Sequence, residues 1–458
     1  MLKRFFLFSY LLFSSLVFFG QDSLFHVKEF IITGNQTTHP SVILREFNFG
    51  EGDTLSLKTI ISSSQKAEDN LKRTSLFNFA KVEWAQIDGT KDVLILVKVT
   101  ERWYTWPAPI FSIEENNFNK WIREQNWRRT NVGFSLTQRN FRGRRESFSV
   151  KMQFGYLQDF GFTFTKPFFP KATKLGFGVG YNFQQRDEVR VGSEGNERIF
   201  LKIDQAIQST QTIKFNLRWR PKTSSLHLLE MRLIKSEIQD TVRETRQNFF
   251  PNHAQEINYP TFYYLYSFDN RDNNYYPSKG HFFRGIFSQS GINRDQVFYQ
   301  TVNLFSTHFY PIHDRLVYGL RNRWVKNFGK NIPYMELTGL GYDHFARGYE
   351  LYNFDSPEGY FIQRNSMQWN WLKSKTGKLP FIRNEKFSKF HFSSYLSLFA
   401  DWGYGWDKLE VNSLNNQFLG ALGVGLNFVT YYDKVLRIEA SRNKFGDFNV
   451  FLHFKKAI

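Results

Sequence analysis

The 458-residue chain contains no cysteine, which excludes disulfides, thiolate nucleophiles and Cys-ligated zinc together. Signatures of hydrolytic or nucleotide chemistry are missing too: there is no Gly-x-Ser-x-Gly, no His-Glu-x-x-His and no P-loop. Gly176, Gly178 and Gly180 fall on a strand-like alternation and read as a small-residue face, not as a phosphate cradle. The ten histidines are dispersed. The closest two, His308 and His313, are read as flanking a short hairpin turn, and no metal site, cofactor or catalytic residue is predicted. Acidic residues are in short supply, with 42 Asp and Glu against 60 Lys and Arg, a net charge of +18. That surplus is scattered, with no basic block, recognition-helix pattern or zinc-finger spacing, so nucleic acid is not an expected partner. Beyond the N-terminus no long apolar run exists, and a mean hydropathy of −0.46 excludes a bundle of transmembrane helices.

Aromatic residues are plentiful, at 19% with 52 Phe and 22 Tyr. Lys3 and Arg4 precede an apolar stretch from Phe5 to Phe19, and Gly20 is followed by polar Gln21, Asp22 and Ser23. That layout predicts a secretory signal peptide over 1–20. Residues 24–101 read as a small α/β domain. Val27 to Ile32 predict a strand ended by Gly34-Asn35, and Thr38 with Pro40 opens a short helix through Val42, Ile43, Leu44 and Phe47. Ser56 predicts the cap of a second helix with Ile60, Ser64, Ala67 and Leu71 on one stripe. Phe79 to Trp84 and Val93 to Val99, joined at Asp88-Gly89, predict a hairpin, giving the order β-α-α-β-β.

From Trp103 onward period two replaces the helical period. Phe148, Val150, Met152, Phe154 and Tyr156 alternate with Ser147, Ser149, Lys151, Gln153 and Gly155. Ile213, Phe215, Leu217 and Trp219 alternate with Lys214, Asn216, Arg218 and Arg220. Strands of about ten residues, one face apolar and the other polar, are what an oblique bilayer crossing needs. A soluble sandwich would show the same alternation. The signal peptide, the missing cysteines and the long regular hairpins favour an all-β transmembrane barrel of about 16 antiparallel strands over 103–458. An open edge in hydrocarbon would strand unpaired amides, so the sheet is expected to close. Trp106, Pro107 and Pro109 mark the first strand as a weak pairing partner. Loops at 237–257, 325–360 and 373–390 are expected at the extracellular end, and the short links at the other.

Four motifs punctuate the barrel. Gln138-Arg139-Asn140-Phe141-Arg142-Gly143 lies between two early strands. Asp269, Arg271 and Asp272, with Pro277 and Gly280, mark a mid-barrel turn that reads as Asx-capped rather than calcium-binding. Ala346-Arg347-Gly348-Tyr349 lies in the long loop, and Phe399-Ala400-Asp401-Trp402-Gly403 on a later strand. Arg347 cannot lose its charge, so a buried position would demand a carboxylate partner.

With the α/β domain ahead of them, these motifs resemble the BamA and two-partner-secretion superfamily, outer-membrane barrels that follow periplasmic POTRA domains. The resemblance implies a sixteen-stranded barrel whose loop 325–360 folds into the lumen. It makes Arg347 the lumenal arginine and Asp401 its partner, with Gly348, Tyr349, Phe399 and Gly403 shaping the contact. It also implies a weak seam between the first strand, carrying Trp106, Pro107 and Pro109, and the last, ending near Phe454. The chain departs from the pattern in showing a single POTRA domain, in carrying Ala346 where Val or Ile is usual, and in running past Phe454 to Ile458. The implied function is non-enzymatic assistance to insertion or translocation of polypeptides at the outer membrane. The alternative is a passive pore or dedicated transporter with the POTRA domain as a dock. Extended client polypeptides, outer-membrane lipids and lipopolysaccharide, and accessory assembly proteins are the expected partners.

Overall fold

The computed structural model describes residues 24–113, 127–167, 174–194, 197–274, 276–294, 296–337, 339, 346–352, 355–378, 389–408, 412, 414–430 and 435–454. The expected signal peptide at 1–20 lies outside them. The chain divides into two compact units, one of Met1–Asn35 with Pro40–Thr100, the other of Gln36–His39 with Glu101–Ile458.

The first unit runs β1 (Leu24–Thr33), α1 (Pro40–Leu44), β2 (Thr54–Ser56), α2 (Leu57–Arg73), β3 (Phe77–Gln86) and β4 (Asp92–Glu101). Its sheet has the order β2-β1-β4-β3, with β1 parallel to β4. The expected element order gains one member, the three-residue β2, which is too short for any periodicity to show. Ser56 caps α2 as expected, its hydroxyl accepting from the Thr59 N–H. Ile60, Ser64, Ala67 and Leu71 are all buried against a core that includes Val93, Ile95 and Val97. Glu68 lies on the buried side of α2, bonded to the Lys72 ammonium at 2.7 Å and to the Val82 N–H at 3.2 Å. Gly34 has φ +87°, and a Cβ there would collide with the Val99 carbonyl, so the β1 turn requires glycine.

The second unit is one antiparallel sheet of sixteen strands. They are β5 (Thr105–Ile113), β6 (Thr130–Phe141), β7 (Glu146–Gly155), β8 (Leu157–Lys166), β9 (Leu175–Arg186), β12 (Gln208–Lys222), β13 (Ser225–Ile238), β14 (Glu256–Asp269), β15 (Gly280–Ser290), β16 (Phe298–His313), β17 (Leu316–Asn331), β18 (Gly359–Lys378), β19 (Lys389–Trp406), β20 (Leu419–Val429), β21 (Val435–Asn443) and β22 (Phe448–Phe454). Between β9 and β12, β10 (Glu188–Glu194) and β11 (Glu197–Lys202) pair as a separate two-stranded sheet. Each barrel strand pairs with the next in sequence, and β5 and β22 stand at the two ends of the order.

The apolar face of this sheet is exposed. Phe134, Met152, Phe154, Phe215, Leu217, Leu398 and Leu422 all stand out from it, Leu217 at 61% and Leu398 at 64% exposure. The buried face carries Gln153, Asp159, Ser366, Gln368, Ser397, Asp401 and Glu439. A soluble sandwich would show the reverse, with apolar faces packed together. An apolar exterior around a polar, side-chain-filled interior is the arrangement of a transmembrane barrel.

Antiparallel alternation corrects the loop assignment. The strands flanking 239–255 and 332–358 meet those connections at one end of the barrel, whereas β18 ends and β19 begins at the end of the two-residue turns 223–224 and 314–315; of the expected loop 373–390, residues 379–388 lie outside the described residues. Its two ends, 373–378 and 389–390, are strand, the last residues of β18 and the first of β19. Lys373, Ser374 and Lys375 are all exposed, so composition does not tell this strand end from a loop. Short links also occur at the loop end, where Tyr156 alone separates β7 from β8.

Candidate functional site: the lumenal arginine and the strand seam

Within the 332–358 connection, Ala346, Arg347, Tyr349 and Glu350 are buried, Arg347 at 3% exposure. Its Nε donates to Asp401 Oδ2 and one Nη to Asp401 Oδ1, both at 2.7 Å, while its backbone N–H reaches Oδ2 at 3.1 Å. This is a two-pronged guanidinium–carboxylate pair, the strongest geometry the two groups can adopt. The guanidinium also donates to Ser366 Oγ at 3.0 Å and to Glu439 Oε1 at 3.3 Å, and its carbon lies 3.8 Å from the Phe399 ring centroid. Burial alone would lower the pKa of Arg347, but Asp401 and Glu439 outweigh it and hold the value above the ordinary one.

The neighbouring motif residues are placed by the same contact. Gly348 has φ +92°, and a Cβ there would lie 2.8 Å from that of Ala421. Its carbonyl accepts from Asn443 at 3.1 Å. Tyr349 is buried, donates to the Gly420 carbonyl at 3.0 Å and packs with Ala346, Val325, Tyr360 and Leu419. Burial, with lesser help from Tyr352 and Asp447, pushes the Tyr349 phenol up to about 12. Asp401 and Phe399 face inward from β19, and Gly403 follows on the same face, opposite Ile362 and Leu419.

Glu439 was not singled out from sequence. The signal was present: Arg437, Glu439, Ser441 and Asn443 alternate with exposed or half-buried residues on β21, and all four are buried. Glu350 was also missed; its carboxylate accepts from the Gly348 N–H at 2.6 Å.

The mid-barrel motif forms a tight turn. Asp269 takes Arg271 through Nε and Nη2 at 2.9 and 2.7 Å. Asp272 accepts from the Ser278 hydroxyl at 2.6 Å and from the Ser278 and Lys279 N–H groups, so it caps a turn as expected. Gly280 has φ +99°, with space for no Cβ beside Arg271 Cα at 2.7 Å, and Pro277 is buried. Tyr276 extends from this turn to the other wall, its ring 4.2 Å from that of Tyr395 on β19 and its hydroxyl 3.2 Å from Asn427 on β20. His308 does not pair with His313 across a hairpin turn: both lie on β16, and the Nδ1 of His308 is 3.1 Å from that of His281 on β15.

The residues expected at a seam lie on the terminal strands β5 and β22. Arg139 N–H donates to the Tyr104 carbonyl at 2.8 Å, in line with the β5–β6 register. Backbone groups of Trp106, Ala108, Ile110 and Ser112 therefore point at β6, and those of Thr105, Pro107, Pro109 and Phe111 point away from it. Both prolines sit on the open side, where they remove two consecutive donors. On β22 the Asn443 N–H to Asp447 carbonyl bond, at 3.1 Å, sets the same parity. Phe448, Val450, Leu452 and Phe454 thus turn their backbone groups away from β21.

At the loop end, Val189, Ile207, Ile238, Phe249, Phe250, Tyr259 and Tyr334 belong to one apolar cluster. Arg190 on the β10–β11 hairpin joins Asp355 of the 332–358 connection at 2.6 Å.

Comparison with known proteins agrees with this architecture. Residues 25–102 match the POTRA family model, described as surface antigen variable number repeat. BamA from Haemophilus ducreyi lacking POTRA domains 1–3 is similar in structure at 15% identity and a TM-score of 0.53, covering 93% of this chain and 83% of that one. CdiB from Escherichia coli is similar at 12% identity and a TM-score of 0.58, covering 93% and 75%. CdiB from Acinetobacter baumannii gives 13%, 0.53, 94% and 73%. No curated protein matches the chain. Likeness at such identities establishes the fold alone, but the Omp85 superfamily domain model matches residues 140–430, well over half the sequence, and the chain therefore belongs to the Omp85 superfamily of outer-membrane barrel proteins.

Proposed function

We propose that this protein assists the insertion or translocation of polypeptides at the outer membrane by non-covalent strand exchange, with its POTRA domain in the periplasm. The observation that carries this reading is the seam. A barrel in hydrocarbon normally pairs every edge group, yet β5 lacks donors at Pro107 and Pro109 on the side away from β6. A client strand bearing its own donors can pair with such an edge by main-chain hydrogen bonds, largely irrespective of its side chains. β3 is the longer edge of the POTRA sheet and suits the capture of an extended segment in the same way. The Arg347–Asp401 pair holds the long loop in the lumen and so maintains the barrel shape against which the seam opens. Lipopolysaccharide and accessory proteins are partners of the same reading.

The alternative of a passive pore is disfavoured by a lumen that contains Arg347 and Tyr349, with Tyr276 extended between walls at the turn end. The test is a quantitative outer-membrane proteome after depletion of the protein. Loss of many barrel proteins supports general insertion, and loss of one or a few supports a dedicated translocator. An unchanged proteome, together with ion conductance by the purified protein, would refute the proposal and establish the pore.

A further inference from the structure

Beside the Arg347 contact, the inner wall carries three further arginines that make no ion pair among the described residues, with Asp401 acting on Arg321 and Asp269 on Arg284 only at longer range. Arg284 projects inward from β15, and Arg321 and Arg323 from β17. Arg284 stands opposite Phe305 on β16, and Phe305 opposite Arg323, so their backbones are two strands apart, about 9.5 Å. Arg321 is the next inward position along β17, about 6.7 Å from Arg323. The guanidinium carbon of Arg321 lies 5.3 Å from the Phe305 ring and that of Arg284 lies 5.1 Å from the Phe282 ring. The two rings are 5.7 Å apart. Arg321 and Arg284 thus flank a shared aromatic floor, and Arg323 stands across from Phe305 in the strand register.

Nearby carboxylates are engaged elsewhere: Asp401 with Arg347, Asp269 with Arg271, and Glu230 with Arg232. Among the described residues none of the three arginines has an ion-pair partner. The Nε atoms of Arg321 and Arg323 are closed off from solvent without an acceptor. Arg321 stands directly opposite Arg364, a like-charge cross-strand pair that is unfavourable by itself. Orphaned buried donors and opposed cations on one wall are what a site looks like before its anion arrives. Arg284 is exposed, which leaves the group open to lumenal water.

We propose that Arg284, Arg321 and Arg323 form a lumenal binding site for an oxyanion, carboxylate or phosphate, whose paired oxygens fit the guanidinium fork. The inference does not depend on the function proposed above. The test is calorimetric titration of the full chain in detergent at low salt with inorganic phosphate and, separately, with tetraglutamate. Saturable binding of either probe is expected, weakened at least tenfold in Arg284→Gln/Arg323→Gln. The Arg284→Lys/Arg323→Lys variant keeps the charge, loses the fork and should fall between the two. Tighter binding of phosphate assigns a phosphate ligand, and tighter binding of tetraglutamate assigns an acidic peptide. Should the double glutamine variant fail to migrate as a folded barrel, Arg284→Gln alone, at its exposed position, should weaken binding about threefold. No saturable binding of either probe, or binding that these glutamine variants leave unchanged, overturns the proposal.

Discussion

Among single residues, Arg347 joins two buried carboxylates, Asp401 and Glu439, in one contact. Arg347→Ala would leave Asp401 and Glu439 buried without their cation, and breaking such a pair from one side typically costs about 3–5 kcal/mol. Denaturant unfolding of the purified barrel should show a loss of that order; stability within about 0.5 kcal/mol of wild type would remove the pair from the stabilising contacts. Arg347→Lys should recover only part of it, because an ammonium cannot span both Asp401 oxygens. Gly348→Ala faces two obstacles, a φ of +92° and the Ala421 Cβ 2.8 Å from the new one. A destabilisation of about 1–3 kcal/mol is expected from the backbone alone, read by the same unfolding assay. In the POTRA domain, burial would raise the Glu68 pKa, but the Lys72 ammonium and the Val82 N–H together hold it below the ordinary glutamate value. A depressed carboxylate contributes stability above its unfolded pKa and loses it as pH falls through the folded value. Wild type should therefore lose POTRA stability on acidification below about pH 4.3, and Glu68→Gln should flatten that acid limb. Parallel acid limbs in the two proteins would contradict the assignment. Arg347 and Asp401 were legible only through the resemblance to a family motif, since an Arg in a loop and an Asp on a strand carry no mutual signal over 54 residues. Glu439 was legible in principle through strand alternation, but inward polar positions are numerous and nothing local marks the one that meets Arg347.

At the scale of elements, β5 presents an edge interrupted by its own prolines. Replacing Pro107 and Pro109 with valine restores two donors on the side away from β6. Each added ladder bond contributes about 0.5–1.5 kcal/mol, so Pro107→Val/Pro109→Val should raise the unfolding midpoint of the barrel. On the proposed mechanism the same variant should slow client insertion or export. A barrel neither more stable nor less active would show that the seam does not depend on these prolines. The sequence revealed that the prolines lie in a strand. Only the register with β6 decides which edge they interrupt, because a shift of one residue would turn both toward β6. The mistaken loop at 373–390 has a related cause. An exposed polar strand end and a surface loop have similar composition, and only the pairing of β18 with β19 separates them.

For the whole molecule, the sequence by itself determined the class of fold. Period-two alternation over ten-residue stretches, no helix-length apolar run after residue 20 and no cysteine leave few arrangements besides a sheet with one face in hydrocarbon. The α/β unit was equally legible, since its long helix has a capping serine and a continuous apolar stripe, both short-range features. Tertiary structure alone decided which polar residues meet. The loop that carries Arg347 packs against β17, β18, β19 and β21 at once, and the pairing of β15, β16 and β17 places Arg284 and Arg323 on one inner row. Alternation states only that a side chain faces inward. What it meets there depends on strand register and on the path of a loop between distant strands, both set by packing across the lumen.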